Sequence, residues 1–403
     1  MPLTDIETAR SLVLERVGST SAESVALREA GGRRLAAAVA SRTDVPGFDN
    51  SAMDGYAVRS TDTAGAGPGA PCELRIAGES RAGHPAAVEL GDGESIAIST
   101  GAMVPDGADA VVRVEDTERR KGAVLVTAQV GVGANIRRRG EDISAGDRLL
   151  AAGTRLEAAE LGALAAGGIA AVECARRPRV AVLVTGDELV EPDRELGPGQ
   201  IHDSNAYAVP PLATAAGAEV GSVAVVGDDR EATTAAVERG LAGDVLVVCG
   251  GVSVGEHDHV RPALAALGVE EVFWGVALRP GKPTYFGVAP SGALAFGLPG
   301  NPVSAMVTFL LFVRPALLAM QGTDPAAVAV RARLAVPYAK SPGRAEAIRV
   351  RLEAGARGWE ATPTGPQGSH VLTSMLGADG LAFAPADAGE LPAGTELVTE
   401  LLR

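Results

Sequence analysis

Cysteine is scarce in these 403 residues: only Cys72, Cys174 and Cys249 occur, far apart and without a C-x-x-C pair. That excludes a disulfide-built scaffold and a cysteine-rich zinc framework, and it predicts three buried small hydrophobes in a reducing compartment. Aromatic residues are equally few, 3% of the chain against 46% hydrophobic residues, so Ala, Val and Leu must supply most of the packing. Positive charge is in deficit as well: 36 Lys and Arg face 50 Asp and Glu, a formal charge of −14. A diffuse negative field disfavours nucleic acid and anionic membranes as partners, so an anionic substrate needs a local basic site. Lysine itself is nearly absent, with Lys121, Lys282 and Lys340 standing among arginines.

A membrane-length apolar run is also missing. The uncharged stretch Gly292 to Val313 is interrupted by Pro299-Gly-Asn-Pro302, which leaves only about a dozen apolar residues, too few to cross a bilayer. The opening Met1-Pro-Leu-Thr-Asp-Ile-Glu7 has acidic residues where a secretory signal would be basic and no apolar segment after them, so a cytoplasmic protein is expected.

What the chain does contain is punctuation, 51 Gly and 25 Pro, spread over a length that calls for several domains. Thr4 to Glu7 has capping-box spacing ahead of a helix through Leu12 and Val17, and a second helix is expected from Ser21 to Ala30. Short apolar runs between turn residues from Gly55 to about Ile136 predict a small β domain, followed by a helix from Leu156 to Ala166. From Arg179 apolar runs alternate with helical stretches, which predicts a doubly wound parallel sheet with helices on both faces. Pro210 and Pro211 should kink or shorten one of those helices. After Pro325 the chain turns β-rich again. The fold class is therefore multidomain α/β: residues 1–170 form an N-terminal helical region with an inserted β domain at about 55–140, residues 178–323 the α/β domain and residues 328–403 a small C-terminal β domain.

A doubly wound sheet binds its ligand beyond the carboxyl ends of its strands, and three loops fall there. They are Thr185-Gly-Asp-Glu188, Gly250-Gly251-Val-Ser253-Val-Gly255-Glu-His-Asp258 and Leu298-Pro299-Gly-Asn-Pro302-Val-Ser304. None is a dinucleotide fingerprint, and Gly275 to Pro283 fails as a P-loop, because five residues separate its glycines and Pro283 replaces the hydroxyl residue. Asn301 and Pro302 predict a helix N-terminus suited to an anion, with Ser304 nearby and Arg279 and Lys282 in the preceding turn. Asp187, Glu188, Asp228, Asp229, Glu256 and Asp258 are hard oxygen donors suited to Mg²⁺ with a phosphate; at least one is expected to be structural. His257 and His259 are expected to be exposed loop residues, since no third zinc ligand is in sight.

Val45-Pro-Gly-Phe-Asp-Asn-Ser-Ala-Met-Asp-Gly-Tyr-Ala-Val58 closely resembles the hallmark segment of the molybdopterin molybdenumtransferase family. Ser99-Thr-Gly-Ala, Arg139-Gly-Glu-Asp-Ile, Thr185-Gly-Asp-Glu-Leu, Arg279-Pro-Gly-Lys-Pro and Gln367-Gly-Ser fit in order, so the resemblance spans the chain. It implies a homodimer in which Mg²⁺-dependent exchange inserts molybdate into adenylated molybdopterin and releases AMP, with transient contact to a molybdopterin adenylyltransferase. It further implies functional roles for Asp54, Thr100, Asp142, Glu188, Asp228 and Asp258, the last three also as metal ligands. Substrate contacts are implied at Gly250, Gly251, Ser253, Gly255, Arg279, Lys282, Pro299 and Pro302. An oxyanion site is implied at Lys282, Ser304, Arg344 and Ser369. Arg279 departs from the lysine of many relatives, which exchanges a point donor for a planar fork. The rival readings are a non-catalytic molybdopterin-binding scaffold and a molybdopterin adenylyltransferase-like enzyme.

Overall fold

The computed structural model describes residues 3–252 and 258–402; the candidates Ser253 and Gly255, with Glu256 and His257, lie outside them. The first helix, Ile6–Leu14, is capped by Asp5, whose carboxylate accepts the Thr8 N–H at 2.9 Å. Thr4 does not build the expected capping box, because its backbone is committed to a bridge with the segment around Val276: its N–H donates to Gly275 O and its carbonyl accepts from Ala277 N–H. The helix buries Ala9 and Val13 in the α/β core, so it belongs by packing to a domain far away in sequence. The expected helix at Ser21 to Ala30 is instead the strand Ala22–Ala26 and a 3₁₀ turn, Leu27–Glu29. Antiparallel pairing with Ala171–Ala175 sets Val25 against Val172, and this tertiary partner overrides a weak local helix preference.

Between these elements sits a six-stranded sheet in the order Ala110–Arg113, Gly55–Val58, Glu94–Ile98, Cys72–Ser80, Ala123–Val126 and Thr117–Arg120. Its neighbours are antiparallel except for one parallel pair, Cys72–Ser80 with Glu94–Ile98. Cys174 and Cys249 are buried as expected, whereas Cys72, the first residue of its strand, is only half-buried.

The α/β domain is built on six strands in the spatial order Glu219–Val226, Arg179–Thr185, Val245–Cys249, Leu294–Leu298, Tyr285–Val288 and Glu270–Trp274. The first four are parallel, and Tyr285–Val288 is antiparallel to the neighbour on each side. Tyr285–Val288 is a strand absent from the sequence reading, formed because the tight Ala289–Ala293 turn returns the chain as a hairpin. Strand periodicity divides the core: Val180, Val182 and Val184 face the helices Asn205–Ala215 and Pro302–Met320, while Ala181 and Leu183 face Arg230–Gly240 and Val260–Ala266. Helices therefore cover both faces, the doubly wound arrangement. Four of the seven Phe meet here, with ring centroids of Phe286 at 4.9 Å from Phe296 and 5.7 Å from Phe273, and Phe273 6.3 Å from Phe312. Pro210 and Pro211 lie inside Asn205–Ala215 without ending it, since burial of Val209 and Ala213 holds the helix on the sheet.

Pro302–Met320 is the one helix among the described residues long and apolar enough to cross a membrane, and 78% of its apolar window is buried inside the fold. It contains a π-turn at Phe309–Val313, where Pro315 lacks the N–H that would bond the Leu311 carbonyl. Arg10 Nε supplies that bond at 3.3 Å and its Nη2 reaches Glu400 Oε2 at 2.8 Å, so one arginine joins the first helix, the central helix and the last strand.

The C-terminal domain is a barrel of five strands, Ala345–Gly355, Gly358–Pro363, Ala329–Leu334, Glu396–Leu401 and Gly380–Ala384, closed by pairing of the first with the last. Gly358–Pro363 and Gly380–Ala384 were not foreseen. Leu278–Arg279 of the α/β domain adds in parallel to Ala345 and Glu346, which brings the barrel alongside the ligand end of the central sheet.

Candidate functional site

Two cavities meet at the carboxyl ends of the parallel strands, sharing Pro283, Pro299 and Asn301 as a common wall. The first, about 340 Å³, is lined by Glu188, Asp228, Asp258, Gly250, Gly251 and Pro299. The second, about 410 Å³, is lined by Arg279, Lys282, Pro299, Ser304, Arg344 and Ser369. Pro302 lines a third that adjoins the first. Five separate loops of the α/β domain and two of the barrel thus converge on one cleft.

The two acidic pairs divide their labour. Asp187 accepts the Asp228 N–H at 2.9 Å and Asp229 accepts the Ala232 N–H at 2.7 Å, so both shape the backbone, one a turn and the other a helix cap. Their neighbours Glu188 and Asp228 line the cleft. A Cβ at position 227 would lie 2.4 Å from Asp187 Oδ1, so any other residue there must displace the carboxylate that holds the turn. Gly250 has φ +94° and a Cβ on it would come within 2.8 Å of the Thr185 carbonyl; the chain turns there at a distance no side chain permits.

On the basic side, Lys282 is exposed and has no ion-pair partner among the described residues, and Arg344 spends one N–H on the Leu278 carbonyl at 3.2 Å. Arg279 Nε stands 3.8 Å from Glu346 Oε1, a loose pair. Glu346 is 2% exposed and accepts the Tyr338 hydroxyl at 2.8 Å. Burial, and then that hydrogen bond, push the Tyr338 pKa upward, so the phenol stays a donor.

The expected helix N-terminus is not free. Asn301 is at the cap position but makes no capping bond; its Nδ2 donates to Ser369 Oγ at 3.1 Å, while the Val303 N–H donates to the Ser369 carbonyl at 3.3 Å. A barrel loop therefore sits on the Pro302 helix start, beside a cavity lined by side-chain cations and hydroxyls. Cys249 lies beneath the cleft with a pKa pushed up to about 12, first by burial and then by Asp203, which leaves it no role as a nucleophile.

Asp54, Thr100 and Asp142 are placed elsewhere. The Thr100 N–H donates to Asp54 Oδ1 at 2.8 Å and the Asp142 N–H to the Val45 carbonyl at 3.0 Å. All three are exposed on the N-terminal β portion, and none lines these cavities. Conversely, Thr185, Asn301 and Gln367 line the cleft although they were not singled out. Asn301 carried a signal as the presumed cap; the other two are polar residues whose place depends on how loops converge.

A doubly wound domain with its cleft at the strand ends, flanked by an N-terminal β portion and a C-terminal barrel, defines a multidomain ligand-binding enzyme architecture. Family models match end to end: the MoeA N-terminal region (domain I and II) at residues 4–168, a probable molybdopterin binding domain at 181–319 and the MoeA C-terminal region (domain IV) at 331–402. The molybdopterin molybdenumtransferase of Haemophilus influenzae is 36% identical over 98% of both chains, and molybdopterin molybdenumtransferase 2 of Mycobacterium tuberculosis is 37% identical over 97% of this chain and 98% of its own. Two crystal structures of a molybdopterin biosynthesis MoeA protein from Pyrococcus horikoshii superpose with TM-scores of 0.83 and 0.84 at 36% and 31% identity, covering 100% and 99% of this chain and all of theirs. The chain belongs to the molybdopterin molybdenumtransferase family, enzymes of molybdenum cofactor biosynthesis.

Proposed function

We propose that this protein inserts molybdate into adenylated molybdopterin in a Mg²⁺-dependent reaction that releases AMP. The observation that carries this reading is the division of one cleft into an acidic half and a basic half whose Lys282 and Arg344 have no carboxylate partner among the described residues, in a chain of net charge −14.

Lys282 and Arg344 would attract molybdate, and the Ser304 and Ser369 hydroxyls, with Asn301 holding Ser369, would orient its oxygens. Arg279 faces the same cavity and adds charge at its rim. Among the described residues no three His, Cys, Asp or Glu side chains group closely enough to hold a metal ion unaided. Mg²⁺ takes one or two protein carboxylates and completes its shell with water and substrate phosphate, so one or two carboxylates from the acidic half suffice. Glu188, Asp228 and Asp258 are the carboxylates that would hold it, and when bound it neutralises phosphate charge. The protein's own contribution is positioning: the acidic half holds the pyrophosphate end, the basic half presents the oxyanion, and both are fixed on loops of a rigid sheet.

The proposed assembly is a homodimer in the cytoplasm, in which the exposed Asp54–Thr100 pair and Asp142 keep their implied functional role, with transient contact to the preceding adenylyltransferase. The test is AMP release from adenylated molybdopterin with Mg²⁺, with and without molybdate, followed by metal analysis of the pterin product. Molybdate-dependent release with bound molybdenum supports the reading. Tight pterin binding with no release would make the protein a scaffold.

A further inference from the structure

The third cavity, about 280 Å³, shares Thr185, Glu188, Gly300 and Asn301 with the acidic half of the cleft and is lined by neither Lys282 nor Arg344. Its walls combine the apolar Val184, Leu189 and Cys249 with three polar residues that are nine-tenths buried or more: Thr185 at 9%, Asp203 at 4% and Asn205 at 5% exposure. Five buried side-chain polar atoms lack a hydrogen-bond partner among the described residues, and three of them belong to this group: Thr185 Oγ1, Asp203 Oδ2 and Asn205 Oδ1. A native structure rarely leaves such atoms unpaired without a reason.

Two of the three side chains are locked by their other half. Asp203 Oδ1 accepts the N–H groups of Asn205 at 2.8 Å and Ala206 at 3.2 Å, and Asn205 Nδ2 donates to the Gly300 carbonyl at 2.7 Å. Their remaining oxygens are thus preset acceptors beside a largely apolar wall. Such a site rejects an oxyanion and fits a flat heterocycle whose edge carries N–H donors. A 2-amino-4-oxopyrimidine edge presents a ring N–H and an exocyclic amine in parallel, the geometry that pairs two donors with one carboxylate.

We propose that Asp203, Asn205 and Thr185 form the subsite that reads the donor edge of a pterin ring, in a cavity distinct from the one that holds Lys282 and Arg344. The inference rests on the function proposed above and adds a direction to it: heterocycle at Asp203, phosphates at the acidic loops, oxyanion at Lys282 and Arg344.

The experiment measures binding of pterin itself, 2-amino-4-oxopteridine, which is fluorescent and has no phosphate, to the full-length protein, with AMP binding followed in parallel. The parent should bind pterin, and Asp203→Asn, which sets amide donors against donors, should weaken it about 10- to 100-fold while leaving AMP unchanged. Because Asp203 also caps a helix, Thr185→Val provides an isosteric variant that spares the cap; about a threefold or greater loss of pterin affinity is expected. Equal pterin affinity in parent and both variants overturns the assignment, as does absence of pterin binding to the parent. Selective loss of AMP would show that the cavity reads adenine instead. Molybdate-dependent AMP release, assayed on the same preparations, separates the two ideas: its absence from the parent with intact pterin binding would sink only the reaction, and its presence with indifferent variants only the subsite.

Discussion

Asn301 and Ser369 stand on different domains and meet at 3.1 Å, amide nitrogen to hydroxyl oxygen, across the wall shared by the acidic and basic halves of the cleft. This bond and the Val303 N–H to the Ser369 carbonyl seat the barrel on the Pro302 helix. Both side chains are solvent-accessible, so Asn301→Ala should cost less than about 1 kcal/mol of stability. It should nonetheless raise the molybdate KM by roughly fivefold, since a misplaced hydroxyl costs binding more than folding. Steady-state kinetics with thermal denaturation on the same sample decide it; a fall in melting temperature with unchanged kinetics would mean that the contact is only structural.

Arg344 and Glu188 line opposite halves of the cleft, and their substitutions should separate cleanly. Arg344→Ala is expected to weaken molybdate binding by about tenfold or more while pterin affinity changes little. Glu188→Gln should leave the fold intact and slow molybdate insertion. Equal loss of both ligands in the arginine variant would count against the oxyanion placement, and full turnover in the glutamine variant would remove Glu188 from the mechanism.

Gly250→Ala puts a side chain at φ +94° and within 2.8 Å of the Thr185 carbonyl and 2.9 Å of its hydroxyl. A loss of about 1–3 kcal/mol is expected from the backbone conformation alone. Gly18→Ala is the control, since a Cβ there meets nothing within 4 Å, and it should be neutral or slightly stabilising. Urea denaturation midpoints compare the two, and equal effects would refute the close-approach account.

Asp5 accepts both the N–H and the hydroxyl of Thr8, and these hydrogen bonds hold its carboxyl below the usual carboxylate range. A depressed folded-state pKa means that the stabilisation is present above the unfolded value, near pH 4, and is lost as pH falls through the folded value. Asp5→Ala should therefore cost about 1 kcal/mol at pH 7, the usual worth of such a cap. The difference from the parent should shrink toward pH 3. A stability gap of constant size between pH 7 and pH 3 would show that the charge of Asp5 does not act through the cap.

Much of this protein was legible in its sequence because strand periodicity and loop chemistry are local. Arg179 to Thr185 and Asp244 to Cys249 read as buried parallel strands, and the loops after them carry Glu188 and Gly250, which must therefore share a sheet edge. What no local pattern contains is the partner. Ser21 to Ala30 became a strand because Ala171–Ala175 lies beside it; Ile6–Leu14 left its sequence neighbours because its apolar face fits the α/β core; and Asn301 turned from helix cap to domain clasp because Ser369 arrives from the barrel. Asp203 and Asn205 belong to the same class, ordinary polar residues until folding buries them with one acceptor each unpaired. Sequence by itself determined the alternation of strands and helices from Arg179 onward and the loop chemistry that follows those strands. The tertiary structure decided which domains share that cleft, since burial and hydrogen-bond satisfaction depend on residues hundreds of positions apart.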